Sequence, residues 1–227
     1  MSELFESRDI VIPGDVIYKG RTRTGDNTYR FEGNVCATRI GLVNYGRGMV
    51  SVIALEAGYN PLVGDTVVGE VRDINLGSWA VDIDAPTEAI MNVPDAIDGP
   101  FRTDMVMPEI LDVGDTIVAK VVDLDRRRTP FLSILGSDLG KVDEGFIIRI
   151  TPSKIPRLIG KKGSMVNMIL KETGCQLTIG QNGRVLVQCR TREQEEIVLK
   201  VICKVESEAH TTGLTNRVQE FIKDLKK

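Results

Sequence analysis

The sequence predicts a multidomain chain in which two successive all-β domains are followed by an α+β domain. Three observations lead there. At 227 residues the chain exceeds the usual single-domain size. Up to about residue 140, short β-branched runs with period two alternate with Gly- and Asp-rich turns. Beyond about residue 145 apolar residues adopt the three-and-four spacing of amphipathic helices.

In the first segment, residues 1–60, Val11-Ile12-Pro13-Gly14-Asp15-Val16-Ile17 reads as a turn that leads into a strand. Gly25-Asp26-Asn27 separates the next two runs, and Gly46-Arg47-Gly48 precedes the strand-like Met49 to Leu55. Short strands with this punctuation predict a small β-sandwich or half-barrel.

In the second segment, residues 61–140, Asp65 to Ile74 and Trp79 to Ile83 alternate around the turn Asn75-Leu76-Gly77-Ser78. A Pro- and Asp-containing stretch runs from Asn92 to Asp112, and Ile117 to Val122 and Phe131 to Leu135 supply further strands. About five strands in this length predict an OB-type barrel. Gly-Asp recurs at Gly14-Asp15, Gly64-Asp65 and Gly114-Asp115, each time before β-branched residues. A true repeat would share more than a dipeptide and a strand, so this reads as one turn used three times to launch a strand.

In the third segment, Phe146 to Ile150 is a strand. Ser153 to Ile159 is a short helix with Ser153 as N-cap and Pro156 in its first turn. After Gly160-Lys161-Lys162-Gly163, Val166, Ile169 and Leu170 share a helical face that Gly174 ends. Cys175 to Ile179 and Val185 to Cys189 form a hairpin through Gly180-Gln181-Asn182-Gly183, and Ile197 to Val205 is amphipathic. The order β-α-α-β-β-α over residues 145–210 is that of a KH domain, and residues 211–227 add a helix over Leu214 to Leu225.

Composition narrows the function. No apolar run reaches the roughly 18 residues needed to span a bilayer. The start, Met1 to Arg8, is acidic where a secretory leader is basic and then apolar, so a cytoplasmic location is expected. Cys36, Cys175, Cys189 and Cys203 form no Cys-x-x-Cys pair and the only histidine is His210, so buried free thiols are expected, with no metal and no cofactor. The net charge is −3, yet residues 145–190 hold eight cations against one carboxylate, Glu172. That segment is therefore +7 and the remainder −10, which suggests one face for an anion and another for a different partner.

Between two helices a Gly-x-x-Gly loop lets the backbone approach a sugar-phosphate chain closely, with helix N–H groups and lysines facing phosphate. The candidate RNA-binding residues are thus Gly160, Lys161, Lys162 and Gly163, with Lys154 and Arg157 beside them. Ile155, Ile159 and Ile179 form an apolar groove for about four unstacked bases. Arg126-Arg127-Arg128 lies between barrel strands, open to phosphate contact or simple solvation. Trp79 is either a stacking platform or core, and Asp82 and Asp84 are metal ligands or solvated carboxylates. Gly180, Asn182 and Gly183 read first as a hairpin turn. No acid–base pair, phosphate loop or paired catalytic carboxylates stand out, so no catalysis is expected.

Together Val11 to Asp15, Gly58 to Asp65, Trp79 to Ile83, Ile159-Gly160-Lys161-Lys162-Gly163 and Gly180-Gln181-Asn182-Gly183 resemble the archaeal exosome's RNA-binding cap subunit family, ribosomal-RNA-processing protein four. The resemblance covers nearly the whole chain. It implies an N-terminal domain that docks on a ring, a barrel like that of ribosomal protein S-one, and a KH domain packed on the barrel through the Gly-x-Asn-Gly turn. It also implies that three cap copies sit on a hexameric ring of RNase PH-like subunits and direct single-stranded RNA 3′ ends to its pore for degradation or tailing. A cap mixed with a zinc-ribbon sister subunit stays open, and so does the alternative of a free-standing RNA-binding regulator or chaperone. The barrel has few aromatics, which favours phosphate contact over stacking there.

Overall fold

The computed structural model describes residues 2–46, 48–55, 58–99, 106–209, 211 and 213–226. It divides into two compact units, 1–57 and 58–227. His210 lies outside the described residues.

The first unit contains β1 (Ser2–Glu3), β2 (Ile10–Val11), β3 (Val16–Lys19), β4 (Arg23–Thr24), β5 (Thr28–Phe31), β6 (Asn34–Ala37), β7 (Gly41–Gly46) and β8 (Met49–Ala54). They form two four-stranded sheets, β1-β3-β6-β5 and β2-β7-β8-β4. Val11, Ile17, Val35, Val43, Val50 and Val52 fill one core, giving the expected sandwich. β7 and β8 meet at the expected turn, of which Arg47 lies outside the described residues.

The second unit opens with a barrel of β9 (Thr66–Asn75), β10 (Ser78–Asp82), β11 (Ala89–Asn92), β12 (Thr116–Leu124) and β13 (Pro130–Ser133). The order β13-β11-β10-β9-β12 is closed by pairing of β12 with β13, with β11 and β13 parallel. A further strand, β14 (Gly140–Val142), extends β12. β11 has no counterpart in the sequence-based expectation, because Ile90 is the single strong β former in Ala-Ile-Met-Asn; its alternate burial is imposed by the barrel. The Asn92–Asp112 stretch holds two one-turn helices, α1 (Val93–Ala96) and α2 (Met107–Ile110), each with a proline near its start, while residues 100–105 lie outside the described ones.

Trp79 is fully buried with Val81, Ile83, Met91 and Leu132, and its indole N–H donates to the Leu111 carbonyl at 2.9 Å. This corrects its candidacy as a stacking platform: Trp79 and Val81 share the face of β10 that points into the barrel core, and Ile83, just past the strand's end, joins them there.

The three Gly-Asp turns are one hydrogen-bonded unit. In each, the Asp carboxylate accepts the backbone N–H three residues earlier: Ile12 to Asp15 at 2.9 Å, Leu62 to Asp65 at 3.1 Å, Asp112 to Asp115 at 2.8 Å. The glycine N–H then donates to a neighbouring strand, and that strand returns an N–H to the Asp carbonyl, as in the Gly64–Val121–Asp65 and Gly114–Val71–Asp115 sets. The structure contains a fourth copy at Glu6-Ser7-Arg8-Asp9. Glu6 N–H donates to Asp9 at 2.7 Å, Arg8 N–H to the Val43 carbonyl, and Val43 N–H to the Asp9 carbonyl. Here Arg8, at φ 77°, occupies the left-handed position that glycine fills elsewhere.

The chain continues as β15 (Phe146–Arg149), a 3-10 turn over Pro152–Lys154, α3 (Ile155–Ile159), a second 3-10 turn over Lys161–Gly163, α4 (Ser164–Thr173), β16 (Gln176–Ile179), β17 (Arg184–Gln188), α5 (Arg192–Ser207) and α6 (Leu214–Leu225). β15-β17-β16 is an antiparallel sheet covered by the helices, as the KH order predicts. Thr191 and Gln194 form a capping box at the start of α5. Two local expectations change. Met165, Ile169 and Thr173 form the buried stripe of α4, while Val166 and Leu170 are half-buried at its margins. Thr151 and Lys154 hold the N-cap positions expected of Ser153, and the Thr151 N–H and hydroxyl both donate to Glu206 of α5.

The free-thiol expectation is also corrected. Cys175 and Cys189 are joined in a disulfide with Cα atoms 4.4 Å apart. The register of the hairpin brings this about: Gln176 pairs with Gln188, so the residues just outside that pair face each other. Cys36 is free and buried, and Cys203 is free and exposed.

Candidate nucleic-acid interface

The Gly-x-x-Gly loop joins α3 to α4 by a single tight turn. Gly160 takes φ 74° and ψ 174°, Lys162 φ 55° and ψ 34°, and Gly163 φ 78°, all in the half of conformational space that favours glycine. The Gly163 N–H closes the turn on the Gly160 carbonyl at 3.2 Å. A Cβ at Gly160 would lie 2.7 Å from the Met165 backbone nitrogen, so this position admits no side chain without moving α4. The turn holds Lys161 and Lys162 out in solvent at the start of α4, with Arg157 exposed and Lys154 half-buried nearby in sequence. Among the described residues no carboxylate pairs with any of these four cations, so their charge is available to an anion.

Of the three groove residues, Ile159 and Ile179 are half-buried against the KH core, with Leu177 beside them on β16, the edge strand. Ile155 is fully inside that core, which removes it from the groove. Arg184 also leaves the basic face. It is 2% exposed and packed against the barrel strand β10, where its guanidinium donates to the Asp82 carbonyl at 2.8 Å and carboxylate at 2.7 Å. Asp82 also pairs with Arg72, and Asp84 approaches Arg184 at 3.6 Å, so these carboxylates are ion-pair partners. Burial pushes the Asp82 carboxyl up, but the Asp84 backbone N–H and the Arg184 guanidinium outweigh it and hold its pKa at about 2.

The Gly180–Gly183 turn joins the KH sheet to the barrel. Asn182 is 2% exposed; its amide donates to the carbonyls of Val68 at 2.8 Å and Ile83 at 3.0 Å and accepts the Val68 N–H at 3.3 Å. Gln181 N–H adds a bond to the Thr66 carbonyl. Val68, Val118 and Leu186, flanked by Leu139, Val142 and Ile147, form a small apolar core across the same junction.

Arg126, Arg127 and Arg128 are exposed on the loop from β12 to β13. The residue that organises this loop, unnoticed in the sequence, is Asp125. Its carboxylate accepts the N–H groups of Arg127 at 2.7 Å and Thr129 at 2.8 Å, and its carbonyl accepts that of Arg128, which sits at φ 65°. The signal was present as Asp followed by residues able to close an Asx turn. The Thr129 N–H, aided by that of Arg127, holds the Asp125 carboxyl below the usual carboxylate range.

A closed five-stranded barrel fixed to a β-α-α-β-β-α domain with an open Gly-x-x-Gly loop defines a class of protein assembled from two single-strand nucleic-acid-binding modules. Comparison with known proteins narrows the class. Residues 58–123 match the family description "RRP4, S1 domain", and residues 145–193 match "KH domain". Proteins named exosome complex component Rrp4 are 41% identical in Thermococcus kodakarensis (98% of this chain, 88% of that one) and 40% in Thermofilum pendens (96% and 94%). The Methanobrevibacter smithii protein of that name is 38% identical over 94% of this chain and 70% of its own. A crystal structure assigned to an exosome complex RNA-binding protein superposes with a TM-score of 0.70 at 37% identity, covering 75% of this chain and 98% of that one. The chain belongs to the Rrp4 family.

Proposed function

We propose that this chain is a non-catalytic RNA-binding component of an exosome, and that its KH loop holds single-stranded RNA while the barrel guides the 3′ end toward the pore of an RNase PH-like ring. The observation that carries this reading is the Gly160–Gly163 turn, which presents two lysines, with no carboxylate partner among the described residues, at the start of a ten-residue helix. Lys161, Lys162, Arg157 and Lys154 contact phosphate, Ile159 and Ile179 contact bases, and Arg126 to Arg128 add phosphate contacts on the barrel. The N-terminal unit docks on the ring. Its support is a cross-strand aliphatic row, Ile10–Leu42–Ile53, whose ends are 64% and 56% exposed. Three copies per hexamer, in the cytoplasm, complete the reading; no helix among the described residues is long and apolar enough to cross a membrane.

The test is the salt dependence of binding to a labelled single-stranded RNA. Lys161→Asp with Lys162→Asp is expected to weaken binding and to flatten the log–log salt slope by about 1.4, two phosphate contacts at about 0.7 each. Unchanged affinity would move the site off the KH loop. Native mass spectrometry of the protein purified with its partners should show three copies on a six-membered ring; a free monomer carrying RNA would sink the docking half of the reading.

A further inference from the structure

The N-terminal unit carries a cationic cleft that the reading above does not use. It is lined by Arg21, Thr22, Arg23, Arg30 and Gly48. Between the end of β3 and the start of β4 the chain runs Lys19-Gly20-Arg21-Thr22-Arg23, three cations in five residues without a carboxylate. The turn is held in place from two sides. Arg30 of β5 donates one guanidinium nitrogen to the Gly20 carbonyl at 3.4 Å and another to the Thr22 carbonyl, while the Thr22 hydroxyl donates to the Gly48 carbonyl at 3.2 Å. Neutral carbonyls satisfy the Arg30 donors but leave its charge standing. Among the described residues no carboxylate pairs with Arg21, Arg23 or Arg30, so three like charges share one cleft without compensation.

Aromatic residues separate the two kinds of polyanion that would fit. β5 is an edge strand, and Tyr29 and Phe31, 40% and 57% exposed, project from its other face, on either side of Arg30 in the chain. An acidic protein surface needs only the guanidinium groups. Unpaired nucleotides use both, phosphates on the cations and bases on the rings. In its sheet β4 is the edge strand opposite β2, and it pairs with the Met49–Val50 end of β8, not with the Ile53 end.

We propose a second RNA contact that straddles the edge strand β5, with Arg21 and Arg23 holding phosphates in the cleft and Phe31 and Tyr29, on the strand's other face, against bases. It rests on the RNA-binding reading above and extends it to the N-terminal unit. The test uses the full chain and a fluorescein-labelled oligoadenylate of about 20 nucleotides, followed by anisotropy across a salt series. Arg21→Gln with Arg23→Gln is expected to bind about tenfold more weakly and to flatten the salt slope by about 1.4. Phe31→Leu, which keeps apolar bulk, is expected to bind about fivefold more weakly with an unchanged slope. Wild-type affinity and slope in the arginine variant, alongside a weakened Lys161→Asp/Lys162→Asp variant, would overturn the cleft and leave the KH site standing. Loss of ring assembly with intact RNA binding would likewise overturn it, by showing that the cleft meets protein. No effect from either pair of variants would overturn both readings.

Discussion

The side-chain amide of Asn182, at the tip of a KH hairpin, donates 2.8 Å to the carbonyl of Val68, a residue 114 positions earlier in the first strand of the barrel. With its bonds to Ile83 and to the Val68 N–H, one side chain satisfies three barrel backbone groups. Asn182→Ala would leave those groups buried without partners, at about 1–3 kcal/mol each before relaxation or water entry. We expect a loss of about 2–4 kcal/mol in urea unfolding, with RNA affinity of the folded fraction near wild type. A stable variant that had lost RNA binding would contradict this structural role.

The four Asp-closed turns offer an internal control on backbone strain. A Cβ added at Gly14, Gly64 or Gly114 meets nothing within 4 Å, so any cost there is conformational. Gly64→Ala and Gly114→Ala are expected to destabilise by about 1–2 kcal/mol, and Arg8→Gly to stabilise by about 1 kcal/mol. Equilibrium unfolding of the three variants checks the opposite signs. An Arg8→Gly variant less stable than wild type would mean that the arginine side chain contributes more than its backbone costs.

Reduction should loosen the KH domain. The Cys175–Cys189 bridge closes a 14-residue separation that contains the whole hairpin and its Asn182 turn. Loop-closure entropy for that length corresponds to about 3 kcal/mol. Cys175→Ser with Cys189→Ser, or wild type in excess reductant, should unfold at lower temperature than the oxidised protein. Intact-mass measurement without reductant should find two thiols fewer than the four cysteines allow.

Acid should weaken the junction between KH domain and barrel through Asp82. Its folded pKa of about 2 lies below the unfolded value, so its contribution is fully present above about pH 4 and is lost as pH falls through about 2. That shift corresponds to about 2 kcal/mol, an upper figure given its partial exposure. In Asp82→Asn the pH dependence of unfolding between pH 4 and 2 should become shallower, at the cost of leaving buried Arg184 short of its counter-charge. An unchanged acid limb would place the acid sensitivity elsewhere.

Local signals were legible wherever the physics is local. The period-two runs located most strands, the change of period located the KH helices, and two glycines three apart marked the loop whose backbone needs positive φ. Leu214 to Leu225 emerged as a helix with the ends read from its pattern. β11 was illegible because its residues take strand geometry only from neighbours on both sides. The fourth turn was hidden because Arg8 stands where glycine would have announced it.

What the sequence by itself determined is the order of modules and the chemistry of the Gly160–Gly163 loop, since both depend on residues close together in the chain. Tertiary structure decided which charges face outward and which thiols meet. Arg184 counts as a cation of the basic segment in sequence, yet it is spent on Asp82, 102 residues away. Trp79 could have been read on either face of its strand until barrel closure buried it. Cys175 and Cys189 became a pair only through hairpin register. In each case the deciding quantity is a distance set by how strands and domains meet in three dimensions, and periodicity carries no information about such distances.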